Sequence, residues 1–327
     1  MKLPNKPTLG MMLATQLLIS SVFAATAKEE FTDGNISEAK ILFEKMPETA
    51  ETNFYLGRIA LQQKDLDSAE EFLEEAVEAK PNNVEYNYWF ANLSFRQAAN
   101  ASIFSAPGYV SDGKKYHFKA LELDPNYIPS MQSLIGFYLN APAIVGGSTK
   151  KAQEMAQRIV KLDGELGLST QIDIYRSQKE QEKELLLAKK LATEYSKSSK
   201  ALLKAGFVFQ NAKQYETALN YFELASTLKS EDEISTAAAL YQIGRTAVFS
   251  KSFTDKGIKA LEAYRLTDAK IVDNSSLPSI NWATFRLATL YASTGNNTKA
   301  KSLVILALEN NQDKNLKKSA KKFLKKL

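Results

Sequence analysis

Residues 50–83 read AETNFYLGRIALQQKDLDSAEEFLEEAVEAKPNN. The stretch reads as two antiparallel helices with small residues at fixed points. Leu56-Gly57 falls midway along the first helix, Ala69 opens the second, Ala76 follows two turns later, and Pro81 closes the unit. Amphipathic helices cross closely only where side chains are small, and Gly57, Ala69 and Ala76 meet that need. Proline cannot continue a helix, so Pro81 ends the pair where the next must begin.

The same register extends outward in both directions. Upstream, residues 28–49 give one helix, with Ala39, Phe43 and Met46 placed as in a second helix of a pair, so a half-repeat is expected there. Downstream, a unit at 84–125 starts EYNYWFANLSFRQA and closes ALELDP, with about ten residues beyond a period of about 34. Its excess includes Ala106-Pro107-Gly108-Tyr109, a turn signal. A unit at 129–163 carries Ile135-Gly136 and an insertion over 140–148, NAPAIVGGS. Residues 165–198 are helical by composition but degenerate as a repeat. Clean units return at 199–232, through Gly206, Ala218 and Phe222, at 237–272, through Ile243-Gly244, and at 281–314, through Leu287-Ala288 and Ala307. Residues 315–327 complete an apolar stripe of Leu316, Ala320, Phe323, Leu324 and Leu327 on a lysine-rich helix. That suits a solubilising cap for the last repeat, with a membrane-surface contact as the sharper alternative.

This pattern resembles the tetratricopeptide repeat (TPR), whose period is about 34 residues. The resemblance implies an all-α fold: a right-handed superhelix of about six helix-turn-helix repeats, with the N-terminal half-repeat and the C-terminal capping helix. The paired Ala-Pro-Gly and Ala-Pro…Gly-Gly insertions are also similar to those of a group of exported bacterial TPR proteins.

Residues 1–27 are set apart from the repeats. Lys2 and Lys6 precede a mostly apolar run from Leu9 to Phe23, and Ala25-Thr26-Ala27 offers a small-x-small cleavage site. That run is short for a membrane span, so a cleaved secretory signal peptide and a single repeat domain over 28–327 are expected, with a periplasmic home. The 327 residues include no cysteine, which excludes a lipoprotein anchor and any disulfide. Loss of Lys2 and Lys6 lowers the formal charge from +5 to +3, too mild a balance to point to nucleic acid.

The resemblance implies an adaptor that binds a protein or peptide along its inner groove, lined by the first helix of each pair. The register places Phe54, Arg58, Tyr88, Asn92, Arg96, Phe137, Tyr241, Arg245 and Phe285 there, with Phe95, Phe207 and Trp282 nearby. Rings would bury apolar side chains while arginine and asparagine pair with carboxylates and backbone groups. The chain lacks the full Lys, Asn and Arg set of the chaperone-binding TPR clamp, so that specificity does not transfer. The alternative is a small-ligand-binding accessory protein, its pocket under loops 101–113 and 140–148 and lined by Phe104, Pro107, Tyr109, Pro142, Ile144, Gly146 and Gly147.

Catalysis is not expected, nor is a cofactor or metal. The sole histidine, His117, reads as a packed core residue, and without cysteine a Cys/His metal site is excluded. Ser111-x-x-Lys114 and Ser148-x-x-Lys151 lack the companion motifs of a serine nucleophile. Gly146-Gly147-Ser148-Thr149-Lys150 has the wrong order for a phosphate-binding loop.

Overall fold

The computed structural model describes residues 23–228, 233–273, 276–309 and 311–327. Most of the expected signal peptide, residues 1–22, and the end of the expected repeat at 199–232 lie outside them. Among the described residues every regular element is a helix. They resolve into two compact units, Met1–Ala156 and Gln157–Leu327.

In the N-terminal unit, α1 (23–32) and α2 (Ile36–Glu44) precede α3 (Ala50–Gln63), α4 (Leu66–Ala79), α5 (Val84–Asn100), α6 (Ala106–Leu123) and α7 (Ile128–Asn140). Side-chain oxygens set the helix starts. Thr49, Asp65 and Asn83 accept hydrogen bonds from the amides of Thr52, Ser68 and Tyr86, satisfying donors that have no partner inside the helix. Gly57 is where α3 meets α4: a Cβ there would lie 2.6 Å from Leu73 Cγ. The expected half-repeat at 28–49 has more of a first helix than the sequence suggested. α1 is helical across the expected cleavage point, and its Ala27 and Phe31 are buried with Ala39, Phe43, Leu56 and Ile59.

The first insertion is a correction. Ala106-Pro107-Gly108-Tyr109 is the opening turn of α6, not a loop. Proline suits a first helical turn, where its missing N–H would have had no intrahelical partner. The extra residues therefore lengthen α5 and α6, leaving only 101–105 as connection, and Gly113 of the lengthened α6 lies under the Phe95 ring. The second insertion stays compact. It holds one 3-10 turn (Ala143–Val145), closed by Gly146 at φ +104 and by Gly147, whose Cβ would collide with the Ala141 carbonyl oxygen at 1.8 Å.

α8 (Thr149–Leu162) crosses the division between the units. The C-terminal unit continues with α9 (Gly164–Ser177), α10 (Gln181–Glu194), α11 (Ser199–Asn211), α12 (Tyr215–Thr227), α13 (Glu233–Ser250), α14 (Thr254–Tyr264), the short α15 (Ala269–Asp273), α16 (Ile280–Ser293), α17 (Asn297–Leu308) and α18 (Lys314–Leu324). The degenerate stretch 165–198 is a complete helix pair, α9 with α10, whose Leu168, Ile172, Ala188 and Leu191 share one core with α11 and α12.

The turns between paired helices repeat one device. Lys64, Lys179, Lys213 and Lys251 adopt left-handed backbone, φ between 53° and 64°, just after α3, α9, α11 and α13. Gly295 does the same after α16. α18 caps the unit: Leu316 and Ala320 are fully buried, Phe323 and Leu324 pack beside them, and Lys317, Lys318, Lys321, Lys322, Lys325 and Lys326 face outward. Asp313 anchors it by accepting hydrogen bonds from the amides of Asn315 and Leu316 and, at 2.7 Å, from Trp282 Nε1. The Trp282 bond is the main reason its carboxyl is held below the usual range. The apolar stripe of the tail is thus occupied by its own repeat. No helix among the described residues is long and apolar enough to cross a membrane.

Candidate functional site

In the N-terminal unit the first-helix residues close on one another. Phe54 is buried and stacked on Tyr86 with ring centres 4.6 Å apart. The Arg58 guanidinium lies 4.6 Å from the Phe31 ring centre, 4.5 Å from Trp89 and 5.4 Å from Phe54, so three aromatic faces enclose it. Its Nε is buried without a hydrogen-bond partner, and burial lowers its pKa from the ordinary arginine value. Tyr88 is half-buried against Trp89, Tyr127 and His117. Asn92 spends both ends of its amide, donating to the Tyr88 carbonyl at 2.8 Å and accepting from Ser133 Oγ at 3.0 Å. Arg96 is exposed and donates to the Leu61 carbonyl at 3.3 Å. Phe137 stacks on Phe95 at 5.0 Å. His117 is fully buried, its Nδ1 3.2 Å from Ser130 Oγ, and burial pushes its pKa down to about 3.

The C-terminal unit is arranged differently. Tyr241 is buried against Tyr264, and its hydroxyl accepts a 2.7 Å hydrogen bond from Arg286 Nε. One turn along α13, Arg245 Nη1 donates to Gln210 Oε1 at 3.0 Å and Gln242 Oε1 at 3.3 Å. Gln210 in turn donates to Thr246 Oγ1 at 2.8 Å, so three buried polar side chains hold the arginine in place. Both guanidiniums lie over Phe249, Arg245 at 4.8 Å and Arg286 at 5.5 Å from its ring centre. Burial first, and repulsion from Arg286 second, lower the Arg245 pKa. Among the described residues no carboxylate pairs with either arginine, which leaves two adjacent cations with N–H donors to spare. Phe285 is buried between Trp282 and Phe323, which makes it a packing residue of the cap.

Arg286, Phe249, Gln210 and Gln242 were absent from the sequence-derived set. The spacing was there to read: Tyr241, Arg245 and Phe249 recur every fourth residue on α13, and Trp282 and Arg286 do so on α16.

The second insertion folds against α6 and α7 within the N-terminal unit. A Cβ on Gly146 would lie 3.5 Å from Lys114 Nζ and 3.9 Å from the Phe137 ring. The apolar residues of the insertions, however, point away from this contact. Phe104 and Ile144 are 93% and 94% exposed, Pro107 and Pro142 are exposed, and Tyr109 is half-buried. Phe104 and Ile144, at that exposure, line no enclosed space. An open cleft of about 470 Å³ lies elsewhere in the unit, against Val77, Tyr116 and Phe118.

Comparison with known proteins agrees with this architecture. The tetratricopeptide-repeat family model matches residues 50–83. Sequence comparison with curated proteins gives no significant match. Among solved structures, yeast Tom70 is similar over 93% of this chain, with a TM-score of 0.57 and 18% identity; the chain spans 58% of that one's length. A thermophilic TPR protein of Thermus thermophilus is similar over 68% of this chain and 98% of its own, with a TM-score of 0.42 and 15% identity. PilW, a type IV pilus biogenesis factor, is similar over 83% of this chain and 97% of its own, with a TM-score of 0.42 and 12% identity. With a tetratricopeptide repeat matched at 50–83, paired helices through the described residues and a fold similar to that of Tom70, the chain has a tetratricopeptide-repeat-like helical fold.

Proposed function

We propose that this protein is an exported scaffold that binds a protein or peptide segment, with its main contact on the first-helix faces of the C-terminal unit. One observation carries the reading: Arg245 and Arg286 stand side by side over Phe249, with no carboxylate among the described residues paired to either. Two half-buried guanidiniums without an anion are electrostatically incomplete, and a partner's carboxylate would complete them through paired N–H···O bonds. Phe249, 43% exposed, supplies an apolar surface for the residue next to that carboxylate. No catalytic step is assigned to these residues. Export rests on the sequence of residues 1–27, read as a signal peptide that delivers the chain to the periplasm.

The test is crosslinked capture from envelope extract, comparing the unmodified chain with Arg245→Gln/Arg286→Gln. Glutamine keeps hydrogen-bonding capacity and removes charge, so the helical circular dichroism should be unchanged while a captured protein is lost. Identical capture by both baits would sink the reading. Fractionation of the tagged full chain checks location: recovery in the cytoplasmic fraction, with the leader intact, would remove export.

A further inference from the structure

The two insertions place apolar side chains where nothing among the described residues covers them. Ile103, Phe104 and Ile144 are 83%, 93% and 94% exposed, and of the other large hydrophobics in the described chain only Leu266 reaches that range. All three stand at the tips of connections within the N-terminal unit, one after α5 and the other after α7. Each tip follows the first helix of its pair, so both lie at the same end of the paired helices, and the second insertion folds against α6 at Lys114. The sequence around them is basic. Residues 100–116 and 140–153 contain Lys114, Lys115, Lys150 and Lys151 against Asp112 alone. Lys115 and Lys150 are exposed, and Tyr109, an amphipathic ring, is one turn below the first tip.

We propose that these two tips form a contact for an anionic lipid surface, with Ile103, Phe104 and Ile144 entering the headgroup layer and the four lysines meeting the lipid charge. Apolar tips borne on segments rich in lysine fit a bilayer interface, where burial of hydrocarbon and attraction to anionic headgroups add. A stable protein partner would need a continuous complementary face of roughly 800 Å² on this side, which two separate fingertips do not offer. Gly146 and Gly147 hold the second finger in one shape, so little conformational freedom is lost on contact. The lysine tail cannot share the role through its apolar stripe, which is buried in the cap. The inference is independent of the arginine site and of whatever binds there.

The experiment is flotation of the purified chain with vesicles of phosphatidylcholine containing about one-third phosphatidylglycerol, beside pure phosphatidylcholine. Binding is expected only to the anionic vesicles and should weaken about tenfold in Phe104→Ser/Ile144→Ser. Both positions are exposed, so the variant should keep its thermal midpoint. Leader and tail are common to both proteins, and the difference therefore reports the tips. A second readout uses the absence of cysteine: Phe104→Cys, labelled with a polarity-sensitive dye, should shift its emission to the blue on anionic vesicles. Three results would each overturn the proposal. These are equal binding by parent and tip variant, an unshifted dye, and loss of binding in Lys317→Gln/Lys318→Gln/Lys321→Gln/Lys322→Gln with the tips intact.

Discussion

Leu56-Gly57-Arg58-Ile59-Ala60 on α3 and Ile243-Gly244-Arg245-Thr246-Ala247 on α13 occupy the same place in the repeat, yet their arginines have different fates. Arg58 is enclosed by the rings of Phe31, Phe54 and Trp89. Arg245 is held by glutamine oxygens beside a second arginine. The next residue separates the two settings. Ile59 is fully buried in an apolar cluster with α1 and α2, whereas Thr246 feeds its hydroxyl into the Gln210 network. Register fixes which way an arginine points; the neighbouring pair of helices decides whether it is packed among rings or hydrogen-bonded beside a second cation.

The largest expected effect tests the support of the arginine pair. Tyr241→Ala removes a buried ring and the acceptor of Arg286 Nε, and should cost about 3–5 kcal/mol in chemical unfolding. A loss below about 1 kcal/mol would mean that Tyr241 is an open binding residue after all.

Acid should separate the two units next. His117 stays neutral when folded, with its pKa pushed down to about 3, while the unfolded chain protonates it near the ordinary value of 6.5. Above that ordinary value neither state takes up the proton and stability is unaffected. As pH falls from there toward 3, the unfolded state binds the extra proton and stability drops, by about 2 kcal/mol at pH 5. The polar cluster of Gln210, Gln242 and Thr246 contains no comparable titrating group. Hydrogen exchange at pH 5 should accordingly accelerate in α5–α7 before α11–α13, and His117→Phe should remove the difference. Equal acceleration in both would break the contrast.

The smallest effect sharpens it most. Arg58→Met exchanges a desolvated cation for an apolar chain among rings and should leave stability within about 1 kcal/mol of the parent. Arg245→Met strips a donor from Gln210 and Gln242 and should cost about 1–2 kcal/mol. Thermal midpoints of the two variants decide it, and reversal of their order would invert the assigned roles.

The sequence made the repeat at 50–83 legible because its determinants are local. Gly57 meets Leu73 inside one helix pair, and Pro81 ends the unit by its own chemistry. α9 and α10 were obscure because their core is built from Leu168, Ile172 and Leu191 packed against the following pair, with Thr170-Gln171 where a Leu-Gly marker would fall at mid-helix. Ala106-Pro107-Gly108 misled because the same residues suit a turn and a first helical turn, and the Phe95 ring over Gly113 favours the helix. The site was half legible. Arg245 followed from register, but Phe54, Tyr241 and Phe285 are consumed by packing, and Arg286 becomes relevant only through a partner 45 residues away.

The left-handed lysines between paired helices give the molecule a ruler. Lys179, Lys213 and Lys251 are exposed at successive turns of the C-terminal unit, separated by about one repeat period of 34 residues. Exposed turns are where proteases cut a folded chain first. Brief digestion with a lysine-specific protease should therefore yield fragments phased to the repeats. A bound partner would then reveal its footprint as the rung of that ladder it protects.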